Sequence, residues 1–178
     1  MKKSIALTLV LLLLTSCSSQ SDAIPKVGKV STCDVISQGS TKSGIDFPCI
    51  DGNSTINFSA LKGPLIVNVW GSWCASCKDE LPILLAFYAK AKSKIQILGV
   101  DVEETSNAAG ADFIATSGIT WPNVVDPDGR SRGFFGMGVP VTWFIDESGV
   151  VVYKKIGTIK SLQQLEGLTA THLHISII

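Results

Sequence analysis

Between residues 45 and 168 short apolar runs alternate with polar breaks that carry most of the chain's turn-forming residues. Pro64-Leu65-Ile66-Val67-Asn68-Val69-Trp70 is apolar and β-branched with one polar interruption, and it reads as a buried strand. Over residues 78–91 apolar side chains fall at helical spacing (Leu81, Leu84, Leu85, Tyr88) and predict a helix. Residues 95–101 repeat the buried-strand pattern. A second helix fits residues 107–117, with Phe113 and Ile114 inward and Gly118 as its stop. Trp121-Pro122-Asn123 and Asp126-Pro127-Asp128-Gly129 read as loop and turn. Residues 141–146 and 150–154 form an antiparallel pair joined by Glu147-Ser148-Gly149, and residues 161–168 close as a helix. Upstream, Asp46-Phe47 and Thr55-Ile56-Asn57-Phe58 flank the turn Asp51-Gly52-Asn53 and predict a small hairpin. The order β-α-β-α-β-β-α predicts an α/β domain over residues 45–170, a mixed central sheet with helices on both faces. Residues 171–178 are left as a C-terminal tail.

Ahead of the domain the pattern changes. Met1-Lys2-Lys3 places positive charge before an apolar run at residues 5–14 that only Thr8 interrupts. That run is too short to span a bilayer as a mature helix and fits a secretory signal. Leu14-Thr15-Ser16-Cys17 follows and resembles a bacterial lipobox. The resemblance implies a signal peptide over residues 1–16, lipid on Cys17, and a domain held at the extracytoplasmic face of the bacterial cell membrane. Residues 17–44 then read as a polar tether. The competing readings are an ordinary signal peptide cleaved nearby, with Cys17 incidental, and an uncleaved anchor. Lys+Arg number 15 and Asp+Glu 15, so nothing in the charge points to nucleic acid or to an acidic partner.

The chemistry gathers at Trp73-Cys74-Ala75-Ser76-Cys77, where the first long strand stops and the first helix starts. Unsatisfied backbone N–H groups and the positive end of the helix dipole meet there and favour a thiolate over a thiol. A Cys-x-x-Cys pair can close a disulfide within one helical turn and reopen by exchange, so its placement argues for redox chemistry. Cys74, at the helix start and towards solvent, is the better nucleophile; Cys77, one turn further in, is placed to resolve a mixed disulfide. With Cys17 set aside, Cys33 and Cys49 remain of the 5 cysteines. Paired with each other they would close a loop that stabilises by about 3 kcal/mol. A second exchangeable pair and two free thiols are the alternatives.

Taken in order, Val67-Asn68-Val69-Trp70-Gly71-Ser72-Trp73-Cys74, then Cys77-Lys78-Asp79-Glu80-Leu81-Pro82, then Gly138-Val139-Pro140-Val141-Thr142 resemble the TlpA/ResA-like branch of the thioredoxin superfamily. The resemblance spans residues 45–168 and implies a thioredoxin fold with an N-terminal hairpin and a central insert between the second strand and the Pro140 loop. It also implies a membrane-tethered thiol-disulfide oxidoreductase with no cofactor beyond its redox-active disulfide. Expected partners are protein thiols or disulfides and a membrane thiol-electron donor or acceptor, with the protein itself a monomer. Glu80, three residues beyond Cys77 on the same helix face, matches the branch's active-site glutamate and would take the proton of Cys77. Asn68 stands where thioredoxins proper keep a buried acid. Pro140 matches the cis-proline opposite the disulfide, Val139 would offer its backbone to an extended substrate, and Trp70 and Trp73 would flank the disulfide, with plain core as the alternative for Trp70. Ser76 departs from the proline common in relatives and restores an N–H beside Cys74.

Two other functions compete. A copper-binding metallochaperone would hold metal through Cys74 and Cys77, but it needs a distant histidine, and residues 119–140 contain none. A thiol peroxidase would need a solitary activated cysteine in another loop. His172 and His174, lacking a nearby cysteine, are read as part of the surface tail. The direction of electron flow stays open between reduction of apocytochrome c cysteines and oxidation of secreted proteins.

Overall fold

A computed structural model of the chain describes residues 27–41, 43–136 and 138–177. The expected signal peptide, Cys17 and the first part of the expected tether lie outside the described residues. The element order is β1 (Asp46–Pro48), β2 (Thr55–Asn57), β3 (Leu65–Trp70), α1 (Ala75–Ala91), β4 (Gln96–Val102), α2 (Asn107–Ser117), β5 (Asn123–Asp126), α3 (Arg132–Phe135), β6 (Val141–Ile145), β7 (Val151–Ile156) and α4 (Leu162–Leu173). β1 and β2 make the small antiparallel hairpin. The remaining strands form one sheet in the order β5-β4-β3-β6-β7. β3 runs parallel to β4 and antiparallel to β6.

Being central, β3 is covered on both faces, which is why it is buried throughout and, Asn68 apart, apolar rather than alternating. Leu65, Val67 and Val69 join one hydrophobic layer with the hairpin's Phe47 and Ile56 and with Phe135 of α3. Ile66 and Trp70 join the other layer, with Leu84 and Phe87 of α1, Ile114 of α2 and Leu165 of α4. Helices therefore lie on both faces, three long ones on one side and the single turn of α3 beside the hairpin on the other. Asn68 shares the α1 side with Ile66 and Trp70 by the two-residue period of a strand. A polar side chain is thereby delivered beneath the active-site helix.

Three sequence expectations need correction. First, Asn123 and Asp126, read as loop and turn, are the two ends of a strand: β5 pairs parallel with β4. Its polar ends disguised it, yet both are buried because their side chains are bonded. Asn123 Oδ1 accepts from Trp70 Nε1 at 3.0 Å, and Asp126 accepts from the N–H groups of Arg130 and Ser131 at 2.9 and 2.8 Å.

Second, the described part of the tether is packed on the domain. Gly28 N–H donates to Ala115 O at 2.9 Å and Lys29 N–H to Ile119 O at 2.8 Å. Cys33 and Ile36 are buried, and Cys33 is bonded to Cys49 with Cα atoms 6.1 Å apart. Polar composition hid these few apolar anchors. Replacing both cysteines by alanine is expected to cost about 3 kcal/mol, as relief of a loop this size predicts. Chemical denaturation checks it; an unchanged midpoint would mean that hydrogen bonds alone hold the segment.

Third, residues 171–177 are not a tail. α4 extends to Leu173, His172 stacks flat on Tyr153 at 4.0 Å, and Lys94 Nζ donates to Ser176 O at 2.9 Å. Ile175 and Ile177 pack against the α1 side of the core. The polar last turn of α4 obscured this continuation.

Candidate active site

Cys74 is the N-cap of α1, and its Sγ accepts from the Cys77 N–H at 3.1 Å. The two sulfurs are bonded, with Cα atoms 5.3 Å apart. Ser76 contributes its hydroxyl, with Oγ 3.5 Å from Cys74 Sγ, while the N–H that meets this sulfur belongs to Cys77. Greater exposure does not distinguish the nucleophile: Cys74 is 5% and Cys77 6% exposed. Position at the helix start does, since a sulfur at the N-cap faces the free N–H groups and the dipole.

Glu80 lies on α1 only 1% exposed, so it is no solvated surface glutamate. Its Oε1 accepts from Asn68 Nδ2 at 2.9 Å and its Oε2 from the Ile159 N–H at 2.9 Å. Asn68 Nδ2 also reaches Thr142 Oγ1 at 3.2 Å. Burial raises the carboxyl's pKa above its ordinary value; the Ile159 and Asn68 hydrogen bonds, and then Lys155 and Lys160, hold the rise in check. Asn68 and Cys77 line one narrow space under α1 together with Trp70 and Leu84. The inner cysteine and the carboxyl network therefore occupy the same dry side of the sheet.

The Val139–Pro140 peptide is cis. Val139 and Trp73 line a cleft of about 170 Å³ with Val69, Arg132, Phe135 and Gly138. Trp73 is 52% exposed, and its indole is steered by a 3.1 Å bond to Val102 O. Trp70 does not share that cleft. Its ring is buried against Phe113 at 5.2 Å, with its N–H spent on Asn123, so it belongs to the core. His172 is held on Tyr153, and among the described residues no three His, Cys, Asp or Glu side chains converge as a ligand set.

Sequence reasoning passed over a second acidic site. Asp101, next to last in β4, is almost fully buried, and Glu104 just beyond the strand accepts from both the N–H and the Oγ of Ser72. The available signal was an acidic residue closing a buried strand.

Residues 42–154 match the AhpC/TSA family. The chain belongs to that family. Among curated members it is 35% identical over 115 residues to the thiol-disulfide oxidoreductase ResA of Bacillus anthracis, covering 63% of this chain and 65% of the relative. It thus spans just under two thirds of that protein's length. Similarity to the thiol:disulfide interchange protein DsbE of Pseudomonas fluorescens biotype C is 32% over 130 residues, 71% of each chain. Among solved structures, StoA from Bacillus subtilis superposes with a TM-score of 0.60 at 26% identity, over 72% of this chain and 98% of that one. The AhpC/TSA assignment and this superposition establish the thioredoxin fold, and the similarity to ResA establishes the ResA-like kinship read from the motifs.

Proposed function

We propose that this AhpC/TSA-family protein is an extracytoplasmic thiol-disulfide oxidoreductase, lipid-anchored through Cys17, that exchanges disulfides with protein substrates through Cys74 and Cys77. The observation that carries the reading is the pair itself: two cysteines closed across the first turn of α1, the outer one at the N-cap. Kinship to ResA and DsbE, both named for thiol-disulfide chemistry, supports it.

In the reducing direction the Cys74 thiolate attacks a substrate disulfide, forming the Cys74–substrate bond and expelling one substrate thiolate. Cys77 then gives its proton to Glu80 and attacks Cys74 Sγ. The second substrate thiolate leaves, two electrons have passed to the substrate, and the enzyme holds the Cys74–Cys77 disulfide. The reverse sequence oxidises a dithiol. Trp73 and Val139 border the cleft where an extended substrate segment would lie. The resemblance to the TlpA/ResA branch makes a haem-attachment cysteine pair of an apocytochrome c the first substrate to try.

An equilibrium titration of the Cys74/Cys77 pair against glutathione tests the function. A reversible two-electron transition is expected; a pair that never exchanges with glutathione refutes it. A potential near −270 mV would mark a reductant and one near −120 mV an oxidant. Separately, the wild type is expected to partition with membranes and Cys17→Ser to be released or left unprocessed. A soluble mature wild type with another N-terminus would remove the anchor.

A further inference from the structure

Asp101 has no place in the chemistry above, yet it is one of the most completely buried ionisable groups among the described residues, 2% exposed. Among the described residues neither of its oxygens meets a donor. α2 contributes a glycine at this point: a Cβ on Gly110 would lie 1.8 Å from Asp101 Oδ2, so the helix closes directly over the carboxyl. The neighbours in register are Trp70 on β3 and Val125 on β5, both uncharged. Lys78 of α1 is placed over the Phe113 ring, and Glu103 is paired with Arg132. Among the described residues the charged group beside Asp101 is Glu104, near enough for the two carboxyls to act on each other.

Two carboxylates cannot bond to each other, and an ionised Asp101 here would be a buried charge with no compensation. One shared proton resolves both problems. With it, the Asp101 O–H donates to Glu104, and Glu104 in turn accepts from the Ser72 N–H and from Ser72 Oγ, the latter at 2.7 Å. Ser72 stands two residues before Cys74, in the turn whose next residue, Trp73, is fixed to Val102 O.

We propose that Asp101 and Glu104 form a one-proton carboxyl pair that clamps the Ser72 turn ahead of Cys74, and that removal of the proton releases this turn. Asp101 is then a positioning residue, acting on the nucleophile only through Glu104 and Ser72. Burial first, and then the Glu104 carboxylate, push its pKa up to about 8, so release falls just above neutral pH. The bearing of the clamp on exchange rests on Cys74 being the nucleophile; the clamp itself does not.

Amide hydrogen exchange of Ser72 in the intact oxidised protein tests it. Protection, corrected for intrinsic exchange, is expected to fall about tenfold between pH 7 and pH 9, the change in neutral fraction of a carboxyl titrating at about 8. In Asp101→Asn, whose amide still donates to Glu104, protection is expected to stay within about twofold over that range. Infrared difference spectra of the wild type supply a second measurement that needs no variant. The carbonyl stretch of a neutral carboxylic acid is expected at pH 7 and reduced to about a tenth by pH 9. Absence of that band at pH 7, equal Ser72 protection at both pH values, or the same loss in Asp101→Asn would overturn the clamp. None of these readings depends on the protein exchanging disulfides, so failure of the glutathione titration remains a separate result.

Discussion

Cys77→Ser is expected to accumulate a stable mixed disulfide with a thiol-bearing peptide, while Cys74→Ser traps little and loses exchange by on the order of a thousandfold or more. The asymmetry comes from the N-cap. Only Cys74 Sγ faces the free donors at the start of α1, accepting from Cys77 N–H at 3.1 Å, and a thiolate is stabilised there. Burial cannot produce it, because both cysteines are equally shielded. Mass spectrometry of the two variants after oxidative challenge reads the outcome directly. Equal trapping by both would assign attack to either sulfur and remove the role given to the helix start.

Glu80→Gln is expected to slow resolution of the mixed disulfide by about a hundredfold near neutral pH, the scale of a lost general base. Cys77 has to lose a proton where water is scarce, and desolvation raises a thiol's pKa. The Glu80 carboxyl is in the same dry layer, and its own pKa is raised by burial, which suits it to receive that proton. The sign of the pH effect follows. A base must be unprotonated to act, so the wild-type advantage is present above the raised pKa of Glu80 and lost as pH falls through it. The glutamine keeps the bond from the Ile159 N–H, and Asn68 can turn its amide to present oxygen to the new NH₂. Thr142, which touches Asn68 at 3.2 Å, can then donate instead of accept, so the fold is expected to hold. Single-turnover exchange across pH checks this; resolution as fast as wild type at neutral pH would put the proton elsewhere.

The legibility of the chain tracked how local each feature is. β3, α1, β4 and α2 were readable because a buried run or a helical stripe is written in consecutive residues, and Gly118 does close α2 in the left-handed conformation. The disulfide at the strand–helix junction was readable for the same reason. β5 was not, because Asn123 and Asp126 look like loop residues until Trp70, Arg130 and Ser131 supply their partners from other parts of the chain. The network of Glu80 was half visible. Helical spacing put it beside Cys77, but its bond to the Ile159 N–H joins positions 79 residues apart. Asp101 was marked only as an acid at the close of a buried run, and its surroundings, built by the close approach of Gly110 on α2, were not legible.

The bond between Cys33 and Cys49 has a consequence for association as well as for folding. An outer strand of a sheet offers unpaired N–H and C=O groups to any other chain, and β5 occupies that position. Here the segment after β1 lies along it: Cys49 bridges Val124 in antiparallel fashion, and Ile50 N–H donates to Asn123 O at 2.8 Å. The disulfide fastens that cover. β7, at the other rim, keeps Val152 and Ile156 exposed beside Lys154, a charge of the kind that discourages strand addition. With the buried bridge opened, hydrogen bonds and the packing of Phe47 alone would hold that cover over the rim, so strand addition there becomes a matter of how often they let go.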